Sequence, residues 1–130
     1  MRKLSLTMCF ALALGMQAFA QDGTVNQAVE KTSSAVTRLM MQSIGLNENE
    51  YLRVRTLNHA RLAKAAEVTK MYGGNAEMLE ARLKEIEGNF ENELFKILNS
   101  RQVEAYAEFK VKPEGNFLSL VQEVAKAAKP

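Results

Sequence analysis

Apolar residues recur every three or four positions along most of the chain, which is the spacing of one face of an α-helix. The most regular series has intervals of 4, 3, 4, 4 and 3 and comprises Leu79, Leu83, Ile86, Phe90, Leu94 and Ile97. A narrow apolar seam of this kind is typical of a helix that packs against another helix. No segment shows the strict alternation of a strand, so the pattern predicts an all-α protein.

Glycine, proline and asparagine residues divide this pattern into successive helices. A first stripe covers 24–44 and ends at Gly45, and the last two helices lie on either side of Pro113. The two longest helices are predicted from Asn47 to about Tyr72 and from 76 to 98. Only a short Gly-Gly link joins these two, so they are expected to lie antiparallel as a long hairpin.

The predicted second helix carries an excess of basic residues and the third an excess of acidic residues, which favours their pairing. Two polar residues, Asn58 and Arg61, fall within the apolar arc of the second helix. Arg61 is expected near the edge of that arc, with its alkyl stem along the core and its guanidinium in water. A contact role for Arg61 in a shared groove is the alternative.

The first twenty residues have the features of a cleaved signal peptide. Arg2 and Lys3 precede an apolar run, and Ala18-Phe19-Ala20 provides small residues at the cleavage site. The sequence therefore predicts a mature chain from Gln21 that is periplasmic or secreted, without a transmembrane anchor. The predicted organisation is a signal peptide over 1–20 and one helical domain over 21–130, with its core hairpin at 46–110 and its C-terminal helix at 116–128.

Removing residues 1–20 changes the charge balance of the chain. The full sequence has 17 basic and 15 acidic residues, and losing Arg2 and Lys3 leaves 15 of each. A neutral mature chain argues against general attraction to nucleic acid or anionic lipid. The single cysteine, Cys9, is also removed, so the predicted mature domain contains no disulfide.

One motif, a leucine, an asparagine and then Glu or Gln three residues later, occurs at both ends of the predicted hairpin. Asn is a preferred N-cap, and a Glu or Gln at the third helical position can bond back to the backbone of the cap. The two copies are Leu46-Asn47-Glu48-Asn49-Glu50 and Leu98-Asn99-Ser100-Arg101-Gln102. Each copy predicts a helix start.

This doubled motif, spaced by a long hairpin in an exported protein, resembles the LTxxQ-motif family of Spy/CpxP-like periplasmic proteins. The second copy keeps Leu98 and Gln102 of the family motif and replaces its threonine with Asn99. The first copy departs twice, with Asn47 in place of threonine and Glu50 in place of glutamine. Both departures preserve the capping chemistry, and the resemblance extends from Leu46 to about Lys110.

The resemblance implies a hairpin that dimerises into a curved cradle and acts without ATP or cofactor, as an envelope chaperone or stress-response protein. Unfolded or envelope proteins would be its partners. Residue type alone suggests the contact residues: Arg53, Arg55, Arg61, Met40, Met41 and Met71. Methionine suits adaptable protein-binding surfaces, although methionine at helical spacing is more often core.

Two other non-enzymatic functions stay open. An envelope adaptor or structural protein would have one fixed partner instead of many weak ones. A metal-binding or metal-sensing protein would need ligands, and the sequence offers only His59 with a soft site for copper(I) drawn from Met40, Met41, Met71 and Met78. Enzymatic activity is not expected, because the lone histidine lies among basic neighbours and no phosphate loop or zinc spacing occurs.

Overall fold

The structure, a computed structural model, describes residues 23–129, and the predicted signal peptide over 1–20 lies outside them. In this part of the chain the only regular elements are helices, with no strand, which confirms the predicted all-α class. Helix α1 spans 23–40 and continues into a π-helical turn, Met41–Gly45. The remaining helices are α2, Glu48–Met71; α3, Ala76–Ile97; α4, Ser100–Phe109; and α5, Phe117–Ala127.

The π-helical turn ends at a glycine for a conformational reason. Gly45 has a φ of 81°, in the left-handed region that residues with a Cβ rarely adopt. The N–H of Leu46 donates to the carbonyl of Met41 at 3.3 Å, which closes the wide turn. The chain then becomes extended at Leu46 and can start α2 in a new direction.

Asparagine side chains cap the starts of α2 and α4 as capping boxes. Asn47 Oδ1 accepts the N–H of Glu50 at 2.8 Å, and Glu50 Oε1 accepts the N–H of Asn47 at 3.0 Å. Asn99 and Gln102 exchange the same two bonds, both at 2.9 Å. Each box satisfies two backbone donors that a helix start leaves without partners.

Helices α2 and α3 lie side by side and run in opposite directions. At the turn between them, the Arg82 guanidinium lies 5.9 Å from the centre of the Tyr72 ring. Further from the turn, the guanidinium of Arg61 lies 3.8 Å from the centre of the Phe90 ring. Among these contacting residues, the numbers rise along α2 as they fall along α3, so the two helices are antiparallel.

The other three helices pack on this pair. Helix α1 contacts α2 through buried Thr37, whose hydroxyl accepts a hydrogen bond from Asn58 at 2.9 Å. Tyr106 of α4 packs its ring against Phe90 at 6.5 Å between centroids. Helix α5 packs on α2, with Phe117 buried beneath it. The core is therefore the region between the α2–α3 pair and the helices that pack on it.

The structure corrects the prediction for Arg61. Its side chain does not reach water: the residue is only 4% exposed, and neighbouring Asn58 is fully buried. Phe90 of α3 lies on the guanidinium, and Phe117 at the start of α5 comes within 5.2 Å of it. Phe90 and Phe117 therefore cover Arg61, whereas Asn58 is covered from α1 by Thr37 and Met40.

Candidate protein-binding groove and the polar cluster beneath it

An open groove runs along the surface between α2 and α3. Two adjoining depressions, of about 300 and 280 Å³, share Leu57 and Glu93 and therefore form one furrow, here called the α2–α3 groove. Its α2 side consists of Arg53, Thr56, Leu57, Ala60, Arg61 and Lys64. Its α3 side consists of Ile86, Asn89, Phe90, Glu93, Lys96 and Ile97.

The groove has an apolar floor and a predominantly basic rim. Leu57, Ile86, Phe90 and Ile97 are buried or half-buried along the bottom, while the charged side chains stand exposed at the edges. The rim has three basic residues and one acidic residue: Arg53, Lys64, Lys96 and Glu93. A groove of this character can bind apolar side chains and attract acidic groups next to them.

The ion pairs on the rim leave one arginine available. Glu93 is already engaged by Lys96, at 3.0 Å between Oε1 and Nζ. Lys64 lies 3.9 Å from Glu67 one turn further along α2. Arg53 forms no ion pair with any residue in 23–129. Its guanidinium is therefore the rim group best able to engage an external carboxylate.

The arginines suggested from the sequence lie in three different environments. Arg53 is exposed on the rim of the groove. Arg61 reaches the groove only as part of its floor, because it is buried. Arg55 lies on the α1 side of α2, where its Nη2 donates to Glu30 Oε1 at 2.6 Å. The structure therefore does not bring these three side chains together into one basic patch.

The methionines suggested as contact residues also separate. Met40 is fully buried, and its sulfur accepts a hydrogen bond from Asn58 at 3.4 Å. Burial against the middle of α2, where Asn58 lies, removes Met40 from the surface that a partner can touch. Met41 and Met71 are exposed, but neither lines the groove.

A junction between the two motif copies was not foreseen from the sequence. The side-chain amide of Gln102 donates from Nε2 to the carbonyl of Gly45 at 3.1 Å and to Glu50 Oε1 at 3.2 Å. The second capping box is therefore hydrogen-bonded to the first. Because α2 and α3 are antiparallel, the start of α2 and the end of α3 lie at the same end of the pair. The sequence signal for this junction was that the two motifs lie at nearly equal distances from the Gly73-Gly74 turn.

Beneath the groove, buried and half-buried polar side chains from four helices, α1 to α4, form a cluster that is described here from Asn58 onward. Its amide donates to Thr37, and its carbonyl oxygen accepts from Arg61 Nε at 3.0 Å. Arg61 Nη1 lies 3.6 Å from Glu87 Oε2 of α3, too far for a hydrogen bond. Glu87 Oε2 is buried and accepts no hydrogen bond from residues 23–129.

The cluster continues from Glu87 to α4. The Tyr106 hydroxyl lies 2.8 Å from Glu91 Oε2 and 3.3 Å from Glu87 Oε1. Lys110, at the end of α4, donates to the same Glu91 oxygen at 2.5 Å. Asn58 and Arg61 were visible in the sequence as polar interruptions of an apolar arc, whereas the partners on α3 and α4 were not identified.

Burial shifts the pKa values of this cluster in opposite directions. Desolvation raises the pKa of Glu87 and lowers that of Arg61, because burial outweighs their mutual attraction in both. Burial also acts to raise the pKa of Glu91, but hydrogen bonds from Lys110 and Tyr106 outweigh it and lower that pKa below its usual value. Burial, followed by the bond to Glu91, raises the pKa of Tyr106, so its hydroxyl stays protonated.

The remaining candidate chemistry is sparse in the described residues. His59 is exposed on the α1 side, with Nε2 at 3.3 Å from Glu30 Oε2. Among residues 23–129, no three His, Cys, Asp or Glu side chains are grouped so as to hold a metal ion. None of the helices in this range combines the length and apolarity that crossing a bilayer requires.

Comparisons of the chain with protein-family models, with curated proteins and with solved structures each find no match.

Proposed function

We propose that the protein is exported and binds other proteins in the cell envelope, without catalysis and without ATP, as a holding chaperone or stress-response protein. The observation that best supports this proposal is the α2–α3 groove, which is open, apolar along its floor and basic along its rim. The resemblance of the doubled capping motif to the LTxxQ-motif family supports the same proposal, as does the signal peptide expected from residues 1–20.

The proposed occupant of the groove is an unfolded segment that combines apolar with acidic side chains. Leu57 and Ile97 offer contact area for apolar groups, and Arg53 offers a positive charge that no acidic residue in 23–129 pairs with. Both contributions are modest at a shallow, solvated surface. Weak binding of many such segments, released by dilution, suits a chaperone that consumes no energy source.

The direct test measures light scattering by an unrelated client that aggregates on reduction, with stoichiometric amounts of the purified protein and no ATP. Wild type is expected to suppress aggregation. The double variant Arg53→Glu/Lys64→Glu reverses two exposed charges on the groove rim and is expected to suppress it less.

A matched control reverses two exposed charges on α1, away from the groove, in the variant Lys31→Glu/Arg38→Glu. It should retain wild-type suppression. No suppression by wild type, together with one tight partner in a pull-down, would refute the chaperone proposal and favour an envelope adaptor. Equal losses in both double variants would refute the groove as the binding surface.

The expected signal peptide supports the proposal of export, and the resemblance supports the proposal of dimerisation. N-terminal sequencing of protein from the envelope fraction should begin at Gln21. Sedimentation equilibrium should give twice the mass of the processed chain, and a monomer at micromolar concentration would refute the dimeric cradle.

A further inference from the structure

The Tyr106 hydroxyl contacts two carboxyl groups but has only one proton to donate. Its oxygen faces carboxylate oxygens of both Glu91, at 2.8 Å, and Glu87, at 3.3 Å. A phenol has one proton to donate, and the shorter contact assigns that proton to Glu91. The contact with Glu87 is then a favourable hydrogen bond only if Glu87 carries a proton and donates it to Tyr106.

The second oxygen of Glu87 leads to the same protonation state. Glu87 Oε2 is buried without a hydrogen bond from residues 23–129, which is costly for an ionised carboxylate and much less so for a neutral acid. Arg61 is the nearest cation, yet its Nη1 stays at 3.6 Å and its Nε is used by Asn58. The raised pKa of Glu87 agrees with this geometry.

We propose that Glu87, Tyr106 and Glu91 form a proton-dependent latch between α3 and α4, closed while Glu87 is protonated and weakened when that proton leaves. In the closed latch, Glu87 donates to Tyr106, Tyr106 donates to Glu91, and Lys110 donates to Glu91. Loss of the Glu87 proton removes the first bond of this chain and places a second negative charge beside Glu91.

The charged groups around Glu87 come from each neighbouring helix. Arg61 faces it from α2, and Lys110 and Tyr106 face it from α4. On α3, Glu91 contacts the same hydroxyl, and two charged residues one and two turns earlier, Lys84 and Glu80, line the same cavity of about 300 Å³. From α5, the cavity is lined by the uncharged residues Asn116, Phe117 and Leu118. Arg61 remains attractive after ionisation, so the latch weakens without being repelled open.

The sign of the pH dependence follows from the raised pKa. Between the ordinary glutamate pKa and that of Glu87 in the latch, the closed form holds one proton more than the open form. Each rise of one pH unit within that window therefore favours opening by up to about tenfold, and the effect levels off above it.

The test measures hydrogen–deuterium exchange of peptides from α4 between pH 4 and pH 8, corrected for the intrinsic pH dependence of exchange. Wild-type α4 is expected to lose protection as pH rises, by up to about tenfold per unit within the window. The readout is restricted to α4, and His59, the only histidine in the sequence, lies on the α1 side of α2.

The variant Glu87→Gln supplies a permanent amide donor to Tyr106, and its α4 protection should no longer fall as pH rises. Glu80→Gln is the matched control: it removes an exposed carboxylate from the same helix and the same cavity, and should keep the wild-type dependence. Identical pH dependence in wild type and Glu87→Gln would overturn the latch.

A measurement on wild type keeps the proposal testable if Glu87→Gln does not fold. Carbon-13 NMR should show the Glu87 side-chain carboxyl titrating above the ordinary glutamate pKa. A Glu87 midpoint at or below the ordinary glutamate pKa would overturn the proposal.

Discussion

The change Arg61→Ala tests whether the guanidinium is buried, as in the structure, or in water, as the sequence pattern indicated. Truncation would leave Glu87 buried without its nearest cation and Asn58 without the donor to its carbonyl oxygen. Removing one partner of a buried ion pair typically costs 3–5 kcal/mol of stability. Because the raised pKa allows Glu87 to take up a proton, we expect the low end, about 3 kcal/mol.

The assay is urea unfolding at pH 7, followed by far-ultraviolet circular dichroism. For a domain of this size with an m value of about 1.5 kcal/mol/M, a loss of 3 kcal/mol lowers the midpoint by about 2 M. Arg61→Lys keeps the charge but loses the Nε donor and the flat stacking on Phe90, so we expect a loss of about 1–2 kcal/mol.

The matched control is Arg55→Ala, which removes an arginine from the same helix. Arg55 pairs with Glu30, but both side chains are about half exposed, so the expected loss is about 0–1 kcal/mol. If Arg61→Ala costs less than about 1 kcal/mol, or no more than Arg55→Ala, the burial of the guanidinium is refuted.

Four further predictions concern stability in the same urea assay. Gln102→Glu turns the donor that faces Glu50 and the Gly45 carbonyl into an acceptor, and should cost about 1–3 kcal/mol of stability at pH 7. The control Glu50→Gln keeps an acceptor opposite Gln102 and should be nearly neutral. Equal costs for the two variants would contradict the junction. Gly88→Ala, inside α3 with open space around the new Cβ, should stabilise by about 0.5–1 kcal/mol. Gly115→Ala should destabilise by about 1–3 kcal/mol, because its Cβ would lie 2.3 Å from a carbonyl oxygen at the end of α4, and a midpoint that stays unchanged would contradict that turn. Because the pKa of Glu91 is lowered, its carboxylate stabilises the fold above the ordinary glutamate pKa, and this stabilisation is lost as pH falls through the lowered pKa. Glu91→Gln should therefore be about 1 kcal/mol less stable than wild type at pH 7 and should lose less stability than wild type in acid. An acid profile identical to that of wild type would contradict this prediction.

Local signals in the sequence were sufficient to predict the helix starts and the turn between α2 and α3. The starts of α2 and α4 follow from Asn47 and Asn99, because a capping box involves only residues within one helical turn. The glycines at 73 and 74 predicted the turn, and Asn75 caps α3 through the N–H of Met78 at 3.1 Å. These features need no knowledge of distant parts of the chain.

Long-range polar contacts were not predictable in the same way. Asn58 and Arg61 were recognised as interruptions of the apolar arc, but helical periodicity does not say which other helix covers a face. The burial of Arg61 depends on Phe117 and the contact between the two motifs on Gln102, which lie 56 and 57 residues from Arg61 and Gly45. The groove was likewise unpredictable, since it is the part of the α2–α3 pair that the other helices leave uncovered.

The bond between Gln102 and Glu50 also constrains how the protein can change in length during evolution. Helices α2 and α3 contain 24 and 22 residues, and so extend about 36 and 33 Å from their shared turn to the junction. An insertion in one helix alone would shift its end by about 1.5 Å and rotate it by about 100° per residue, which separates the two side chains. Insertions and deletions that preserve the junction are therefore expected in compensating pairs, one in each helix.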